Sequence, residues 1–186
     1  MPLGKHVALR PATPEDAQLL AGWYNDPGFV GPYFNFHLTT AQSWAQRLAG
    51  PPDASGLERY LITRPDLGEP MGLIVVGNPF TVTWLYQGKE LGYLVHPHHR
   101  GRGVATQAAC LLINHLFDAT PTERIQALVV LGNDASCRVL ERAGMQRDGL
   151  YRKVMFLHGR YVDMHHYAIV REDWRDEDAY RQGRDF

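Results

Sequence analysis

The segment LGYLVHPHHRGRGVATQAACLLINHLF, residues 91–117, passes from an apolar strand pattern through a short turn into a long apolar helix pattern. The turn holds three histidines, two arginines and two glycines, so it combines positive charge with an accessible backbone. Gly101 and Gly103 let a ligand approach the main chain, and the following helix directs unpaired N–H groups and its positive dipole end at the same place. The turn is therefore predicted to bind an anion such as a phosphate or diphosphate. The alternative is a turn whose glycines serve only a tight strand-to-helix connection.

The rest of the chain also alternates between strand and helix patterns. A strand precedes a helix that opens after Thr13 with Pro14 at its first position, and a second helix follows Thr39 or Thr40. Further strands are predicted at 57–63, 69–78, 88–96 and 124–132, further helices at 101–119 and 133–144, and a hairpin at 149–173 that turns at His158-Gly159. This order predicts an α/β (α+β) fold with a mixed sheet. We expect a single domain over 1–174 and a polar C-terminal tail over 175–186.

Composition gives no support to several classes of function. Charged residues make up 21% of the 186-residue chain, and the formal net charge is -1. This balance gives no reason to expect nucleic acid or an anionic membrane as a partner. Cys110 and Cys137 each lie in a helix pattern and suggest no disulfide framework. Because the sequence also lacks the apolar run of a signal peptide or a membrane-spanning helix, it predicts a cytoplasmic protein.

Two common phosphate-binding loops do not match the turn. A P-loop ends in Gly-Lys-Ser or Gly-Lys-Thr, whereas this turn continues from Gly103 into Val104 and Ala105. A dinucleotide fingerprint places a third glycine where this chain has Thr106, and it also needs an acid after the next strand, where Leu131-Gly132-Asn133 stands. Both interpretations are excluded.

Four motifs in order carry a resemblance to a known family. RGRGVA at 100–105 is similar to the R/Q-x-x-G-x-G/A signature of the GNAT N-acetyltransferase superfamily, and KELGYLVHPHHRGRG at 89–103 is similar to the strand that precedes it. NDASCRVLERAGM at 133–145 resembles N-x-x-S-x-x-x-x-E-x-x-G-[FM]. The hairpin at 151–174 and the first strand and helix at 7–27 resemble the RimJ/RimL-like branch. Together these motifs cover nearly the whole chain.

The resemblance implies a GNAT fold, with a mostly antiparallel sheet that splays at a cleft for acetyl-CoA and is flanked by helices. Leu94 and Val95 would border the cleft, with the Val95 backbone pairing with pantetheine. The diphosphate would lie at the turn, whose residues are Arg100, Gly101, Arg102, Gly103, Val104, Ala105 and Thr106. Asn133 and Ser136 would face the pantetheine or thiol end. A plain helix N-cap for Asn133 and a surface hydroxyl for Ser136 are the alternatives.

Acetyl transfer to an amine also needs a proton acceptor, an oxyanion donor and a proton donor for the leaving thiolate. By the resemblance, Glu90 is the expected base and the Val95 amide the expected oxyanion donor. Ser136 is the expected acid, because Leu140 occupies the position at which many relatives carry a tyrosine. An acid that the RimL-like pattern can place on the following strand has its counterpart near Met155, so the proton route can differ and can use Tyr151, Tyr161 or a histidine.

The remaining chemistry-bearing residues favour no other class. The histidines lack the spacing of a structural metal site, so we expect no metal. Most of the aromatic residues of the first half are expected in the core or the wall of the acceptor pocket, together with Trp84 and Tyr86. The sequence therefore predicts an acetyl-CoA-dependent N-acyltransferase that acts on a small-molecule amine or a peptide or protein N-terminus. Acetylation of an antibiotic or specialised metabolite and a non-catalytic acyl-CoA-binding module are the alternatives; the oligomeric state stays open, with a homodimer as one option.

Overall fold

The computed structural model describes residues 6–50, 56–79 and 88–176. Its strands are β1 (Ala8–Pro11), β2 (Glu58–Thr63), β3 (Pro70–Gly77), β4 (Gly88–Val95), β5 (Arg124–Val130), β6 (Gln146–Leu157) and β7 (Arg160–Val170). Its α-helices are α1 (Ala17–Tyr24), α2 (Pro27–Val30), α3 (Ala41–Ala49), α4 (Val104–Ala119), α5 (Asp134–Arg142) and α6 (Arg171–Asp176). The predicted α/β class is confirmed.

The seven strands form one sheet in the order β1-β2-β3-β4-β5-β7-β6. Every neighbouring pair is antiparallel except β4 and β5, which are parallel. The parallel pair needs a crossover, and α4 supplies it. The mixed, mostly antiparallel sheet with flanking helices that the resemblance implies is therefore present.

Helices cover the two faces of the sheet unequally. One face, the α4 face, packs Leu91, Val95, Ile125 and Tyr167 against α4 in the larger apolar core. The opposite face, the α1 face, packs strands β2 and β3 and Leu94 against α1, α2 and α3. Because side chains alternate along a strand, the residues next to Leu91 and Ile125 in sequence belong to the α1 face.

A gap opens in the centre of the sheet. Strands β4 and β5 pair only from Gly88↔Arg124 to Glu90↔Gln126. Beyond that point β4 continues along β3 to Val95, and β5 continues along β7 to Val130. The two strands therefore diverge and leave facing backbone edges that have no strand partner among the described residues, as the predicted splay requires.

Two local expectations have clear outcomes. The hairpin turn is confirmed at His158 and Gly159, whose φ angles of 48° and 83° are those of a turn that joins two twisted strands directly. The helix predicted at 101–119 begins only at Val104, because Gly101 and Gly103 have φ angles of 72° and 76°, which an α-helix cannot contain. The prediction of its start was wrong by three residues.

The C-terminal end bears on the predicted domain boundary. Helix α6 ends at Asp176, and residues 177–186 lie outside the described residues. The single domain over 1–174 and the tail over 175–186 stay predictions. Among the described residues, no helix combines the length and apolar character needed to cross a membrane.

Candidate active site

The turn between β4 and α4 presents backbone donors. A 3-10 turn over Pro97–His99 leads into the two left-handed glycines, and the first bond of α4 runs from the Gln107 amide to the Gly103 carbonyl at 2.9 Å. The amides of Val104, Ala105 and Thr106 precede that bond, and the N-cap residue, Gly103, has no side chain with which to cap them. These amides and the positive end of a 16-residue helix suit an anion.

The two arginines of the turn have different environments. The Arg100 guanidinium donates to three carbonyls: Val95 at 2.9 Å, Phe29 at 2.7 Å and Gly28 at 3.0 Å. It therefore ties the end of β4 to α2. Arg102 is exposed and makes no hydrogen bond or ion pair with another residue of the described chain. Of the two arginines predicted to contact the cofactor, Arg102 is therefore the one whose guanidinium has no partner among the described residues.

Two histidines of the turn, His96 and His99, have distinct environments. Burial lowers the pKa of His96, and the neighbouring His98 and His99 lower it further. The His99 ring lies 3.5 Å from a carboxylate oxygen of Glu69. Within the described part of the chain, no cluster of three or more His, Cys, Asp or Glu side chains is arranged to hold a metal ion.

The edge of β4 that is not paired with β5 borders the gap at Val95. The His96 amide donates to the Met71 carbonyl of β3 at 2.8 Å, so by alternation the Val95 N–H points to the opposite edge, which borders the gap. The Leu94 carbonyl faces β3, where it lies 2.5 Å from the place a Cβ on Gly72 would occupy. Glycine at position 72 therefore allows β3 and β4 to approach closely at the level of Val95.

The start of α5 faces the same gap. Asn133 is its N-cap, and the side-chain oxygen of Asn133 accepts a hydrogen bond from the Ser136 amide at 3.2 Å. This oxygen therefore has the role of a plain helix N-cap, which was the alternative to contact with the cofactor. The Ser136 hydroxyl lies 2.8 Å from the hydroxyl of Tyr93 on β4. Burial is the main cause that raises the pKa of the Tyr93 phenol. Tyr93 was not among the predicted site residues.

Glu90 lies at the base of the gap on the α1 face. It is half-buried, and one of its carboxylate oxygens accepts from the Gln126 side-chain amide at 2.8 Å. Tyr93 points to the α4 face, where it packs beside the larger core. The predicted base and the predicted acid, Ser136, therefore approach the gap from opposite faces of the sheet.

A polar cluster on the α1 face was not predicted either. Asp148 of β6 accepts from His166 Nδ1 at 2.5 Å and forms an ion pair with Arg124. Tyr151 stacks on the His166 ring at 4.9 Å between centroids. Burial raises the pKa of Asp148, but hydrogen bonds from Arg124 and His166 outweigh it, so the pKa lies below its usual value. No sequence signal marks this cluster, because its members meet only through strand register.

The segment 32–35 crosses from α2 to the second half of the sheet. The Tyr33 hydroxyl donates to the Gly132 carbonyl at 2.9 Å, and the Asn35 side chain donates to the Phe156 carbonyl at 2.7 Å. His158 Nε2 donates to the Pro32 carbonyl at 3.0 Å. The segment thus links α2 to the residues after β5 and to the β6–β7 hairpin.

The aromatic residues divide between core and surface. Trp23, Phe29 and Trp44 are buried beneath the α1 face, whereas Phe34 in the crossing segment and Phe36 just after it are exposed. Trp84 and Tyr86, also expected at the acceptor pocket, lie outside the described residues.

Comparison with known proteins agrees with this geometry. Residues 6–146 match the family model described as the acetyltransferase (GNAT) domain. YoaA of Bacillus subtilis (strain 168), an uncharacterized N-acetyltransferase, is 29% identical over 170 residues, covering 89% of this chain and 93% of YoaA. The spermidine N(1)-acetyltransferase of Escherichia coli (strain K12) is 22% identical over 187 residues, covering 95% of this chain and 92% of that enzyme. The solved structure of RimL, the ribosomal L7/L12 alpha-N-protein acetyltransferase, in complex with coenzyme A has a TM-score of 0.78 at 18% identity, covering 91% of this chain and 96% of that one.

Proposed function

This chain belongs to the GNAT family of N-acetyltransferases, and from that premise we propose that it transfers the acetyl group of acetyl-CoA to a primary amine. The acceptor is a small molecule or the N-terminus of a peptide or protein. Similar proteins carry names of both kinds, a spermidine acetyltransferase and a ribosomal-protein acetyltransferase. We also place the enzyme in the cytoplasm, a location that the free thiols of Cys110 and Cys137 favour.

The observation that supports the proposal most is that the gap between β4 and β5 leads directly to the free backbone amides at the start of α4. The gap between β4 and β5 opens after Glu90, and the strand on its one side ends at Val95. The uncapped amides of α4 follow only nine residues after Val95, beginning at Val104. An extended ligand with an anionic group at one end fits a strand-like gap that leads to a helix N-terminus.

We assign the residues of the gap to the steps of the reaction. Acetyl-CoA supplies an activated thioester when it is bound. The amides of the α4 turn hold its diphosphate, and the Val95 N–H, which points into the gap, stabilises the oxyanion. Glu90 takes a proton from the protonated amine, directly or through one water, and Ser136 returns a proton to the departing thiolate.

A non-catalytic acyl-CoA-binding module is the second candidate. Leu140 is fully buried in the α4-face core, so the position of the family's tyrosine cannot present an acid to the gap. Met155 is half-buried and carries no titratable group. The proton path therefore depends first on Ser136 and Glu90, with Tyr151, Tyr161 and the histidines as the alternatives that the sequence analysis named.

A binding and turnover experiment separates these candidates. Calorimetry measures acetyl-CoA affinity, and release of the CoA thiol is followed with a polyamine, an aminoglycoside and a peptide with a free N-terminus. We expect binding together with thiol release for at least one amine. Binding without release from any amine would support the binding module, and absence of binding would overturn both.

The Glu90→Gln variant tests the base. It keeps the hydrogen bond with Gln126 but removes the proton acceptor, so kcat should fall by roughly 10²–10⁴-fold while acetyl-CoA affinity is unchanged. Raising the pH should recover part of the loss, because more amine then arrives neutral. Glu58→Gln is a matched control, since Glu58 is a β2 carboxylate that accepts from Tyr60 away from the gap. Equal kcat in both variants would assign Glu90 a structural role.

A further inference from the structure

The hydroxyl groups of Tyr93 and Ser136 meet across the gap. Tyr93 lies on β4 beyond Glu90, where β4 no longer pairs with β5, and Ser136 lies on α5, which follows β5. The phenol oxygen is 2.8 Å from the Ser136 hydroxyl and 3.3 Å from the Ser136 carbonyl. Because Tyr93 points to the α4 face, this contact spans the gap on that face.

Ser136 is held at both ends by this arrangement. Its amide donates to the Asn133 cap, and its hydroxyl contacts Tyr93. A serine hydroxyl ordinarily turns among several partners, so the contact with Tyr93 restricts where the serine proton can point, while the amide bond fixes the backbone that carries it. This restriction can affect the reaction only if the serine proton is transferred or donated during it.

Either hydroxyl can donate in this contact, and we assign the donor role to the phenol. The raised pKa of Tyr93, caused mainly by burial, keeps the phenol protonated across the neutral range. The single phenolic proton can go to the Ser136 carbonyl at 3.3 Å or to the Ser136 hydroxyl at 2.8 Å, and the shorter contact is the better hydrogen bond. When the phenol donates to the serine oxygen, the serine proton is left to point at another acceptor.

We propose that Tyr93 is a positioning residue that donates to the Ser136 hydroxyl and directs the serine proton at the sulfur of the departing thiolate. The inference rests on the proposed function. The amine nitrogen forms the C–N bond, and the C–S bond breaks with its electron pair going to sulfur. Sulfur takes the proton of Ser136, and the serine oxygen regains one from the nitrogen as the amide forms. Tyr93 keeps its own proton throughout.

The chain offers a matched control for a purely structural role. Tyr167 of β7 also connects the sheet to α5, because its hydroxyl donates to Glu141 at 2.9 Å. Tyr167→Phe therefore removes a sheet-to-α5 hydrogen bond without touching Ser136. Tyr93→Phe instead removes a sheet-to-α5 hydrogen bond that involves Ser136.

The test compares two thioesters in single-turnover acetyl transfer to an amine that the wild-type protein uses. One is acetyl-CoA, and the other is an analogue with fluorine beside the sulfur-bearing carbon, whose thiol is more acidic and leaves without much help from an acid. With acetyl-CoA, Tyr93→Phe should lower the rate about 10-fold and Ser136→Ala about 100-fold. With the fluorinated analogue both losses should shrink to about 2-fold, and adding Tyr93→Phe to Ser136→Ala should cost nothing further. Tyr167→Phe should affect both thioesters equally.

Each outcome bears on a different statement. If Tyr93→Phe slows both thioesters equally, or if its loss adds to that of Ser136→Ala, the positioning role is overturned and Tyr93 only anchors α5. Thermal melting of each variant checks that the fold is intact, and Ser136→Ala tests the leaving-group dependence even if Tyr93→Phe is unstable. A wild-type protein that releases no thiol with any amine would overturn the proposed function and this inference together.

Discussion

The turn at the start of α4 and the hydroxyl pair across the gap serve the same proposed site but depend on the fold in different ways. The turn is local: two left-handed glycines and the first residues of one helix place its amides within a few positions of one another. Tyr93 and Ser136 are 43 residues apart and meet only because β4 and α5 are fixed by the sheet. Changes at the glycines and helix amides of the turn should therefore alter ligand affinity alone, whereas changes along the gap, and at Arg100 with its three carbonyl contacts, should also alter stability.

The largest expected effect tests the independence of the turn. Gly103→Glu forces a side chain onto a left-handed backbone and places a negative charge beside the helix N-terminus, so acetyl-CoA affinity should fall by more than about 100-fold. Circular dichroism should stay close to that of the wild-type protein, because position 103 is exposed. Gly159→Glu is the control, with a φ of 83° at the hairpin turn. Tight binding retained by a folded Gly103→Glu variant would contradict the anion site.

The second prediction concerns the strand that borders the gap. Gly72→Ala brings a methyl group to 2.5 Å from the Leu94 carbonyl, so β3 and β4 must separate at the level of Val95. We expect a loss of about 2–3 kcal/mol in the free energy of unfolding, measured with urea, together with weaker acetyl-CoA binding. Gly92→Ala, whose methyl group would lie 3.6 Å from a Val75 methyl, should cost much less. Similar stabilities for the two variants would show that β3 and β4 adapt freely.

The same contrast explains how far the sequence could predict the structure. Caps, turns and the strand and helix periods are local signals, and they located the His158-Gly159 turn and nearly every element. They narrowed the cap of α3 to Thr39 or Thr40 and the start of α5 to Asn133 or Asp134, and the structure has Thr40 and Asn133. The left-handed glycines show why the helix prediction failed at its start. The prediction that Arg100 and Arg102 both belong to the anion site stays a prediction, but the carbonyl contacts of Arg100 were not foreseeable.

Contacts between strands lacked such signals. Asp148 and His166 meet through the register of β6 and β7, and a β-bulge between Arg147 and Gly149 puts Asp148 out of register. Sequence periodicity identifies a strand but not its neighbour. Tyr93 was the one case with a usable signal. Its place between Leu91 and Val95 puts a phenol on an apolar face, and a buried hydroxyl needs a partner.

The third prediction separates the two arginines. Arg100→Ala removes three hydrogen bonds to carbonyls, so it should lower the free energy of unfolding by about 1–2 kcal/mol and weaken acetyl-CoA binding indirectly. Arg102→Ala should leave stability unchanged and weaken acetyl-CoA binding about 5-fold, with a flatter dependence on salt, because screening acts on exposed charges. Urea unfolding and calorimetry at two salt concentrations distinguish these patterns. A stability loss for Arg102→Ala, or none for Arg100→Ala, would reverse the assignment.

The smallest expected effect concerns the polar cluster on the α1 face. The pKa of Asp148 is lowered in the folded state by Arg124 and His166, so the ionised carboxylate stabilises the fold above the unfolded pKa of about 3.9. That contribution is lost as the pH falls from there through the lower folded-state pKa. Asp148→Asn should therefore be less stable than the wild-type protein at pH 6, by less than about 1 kcal/mol because the side chain is partly exposed, and the difference should close near pH 3. Asp66→Asn, at an exposed turn position, controls for the loss of one negative charge. A difference that persists unchanged at pH 3 would mean that packing of the asparagine, rather than the charge of Asp148, explains the loss. Steric fit would then govern the stability of this cluster, as it governs the contact between β3 and β4 at Gly72.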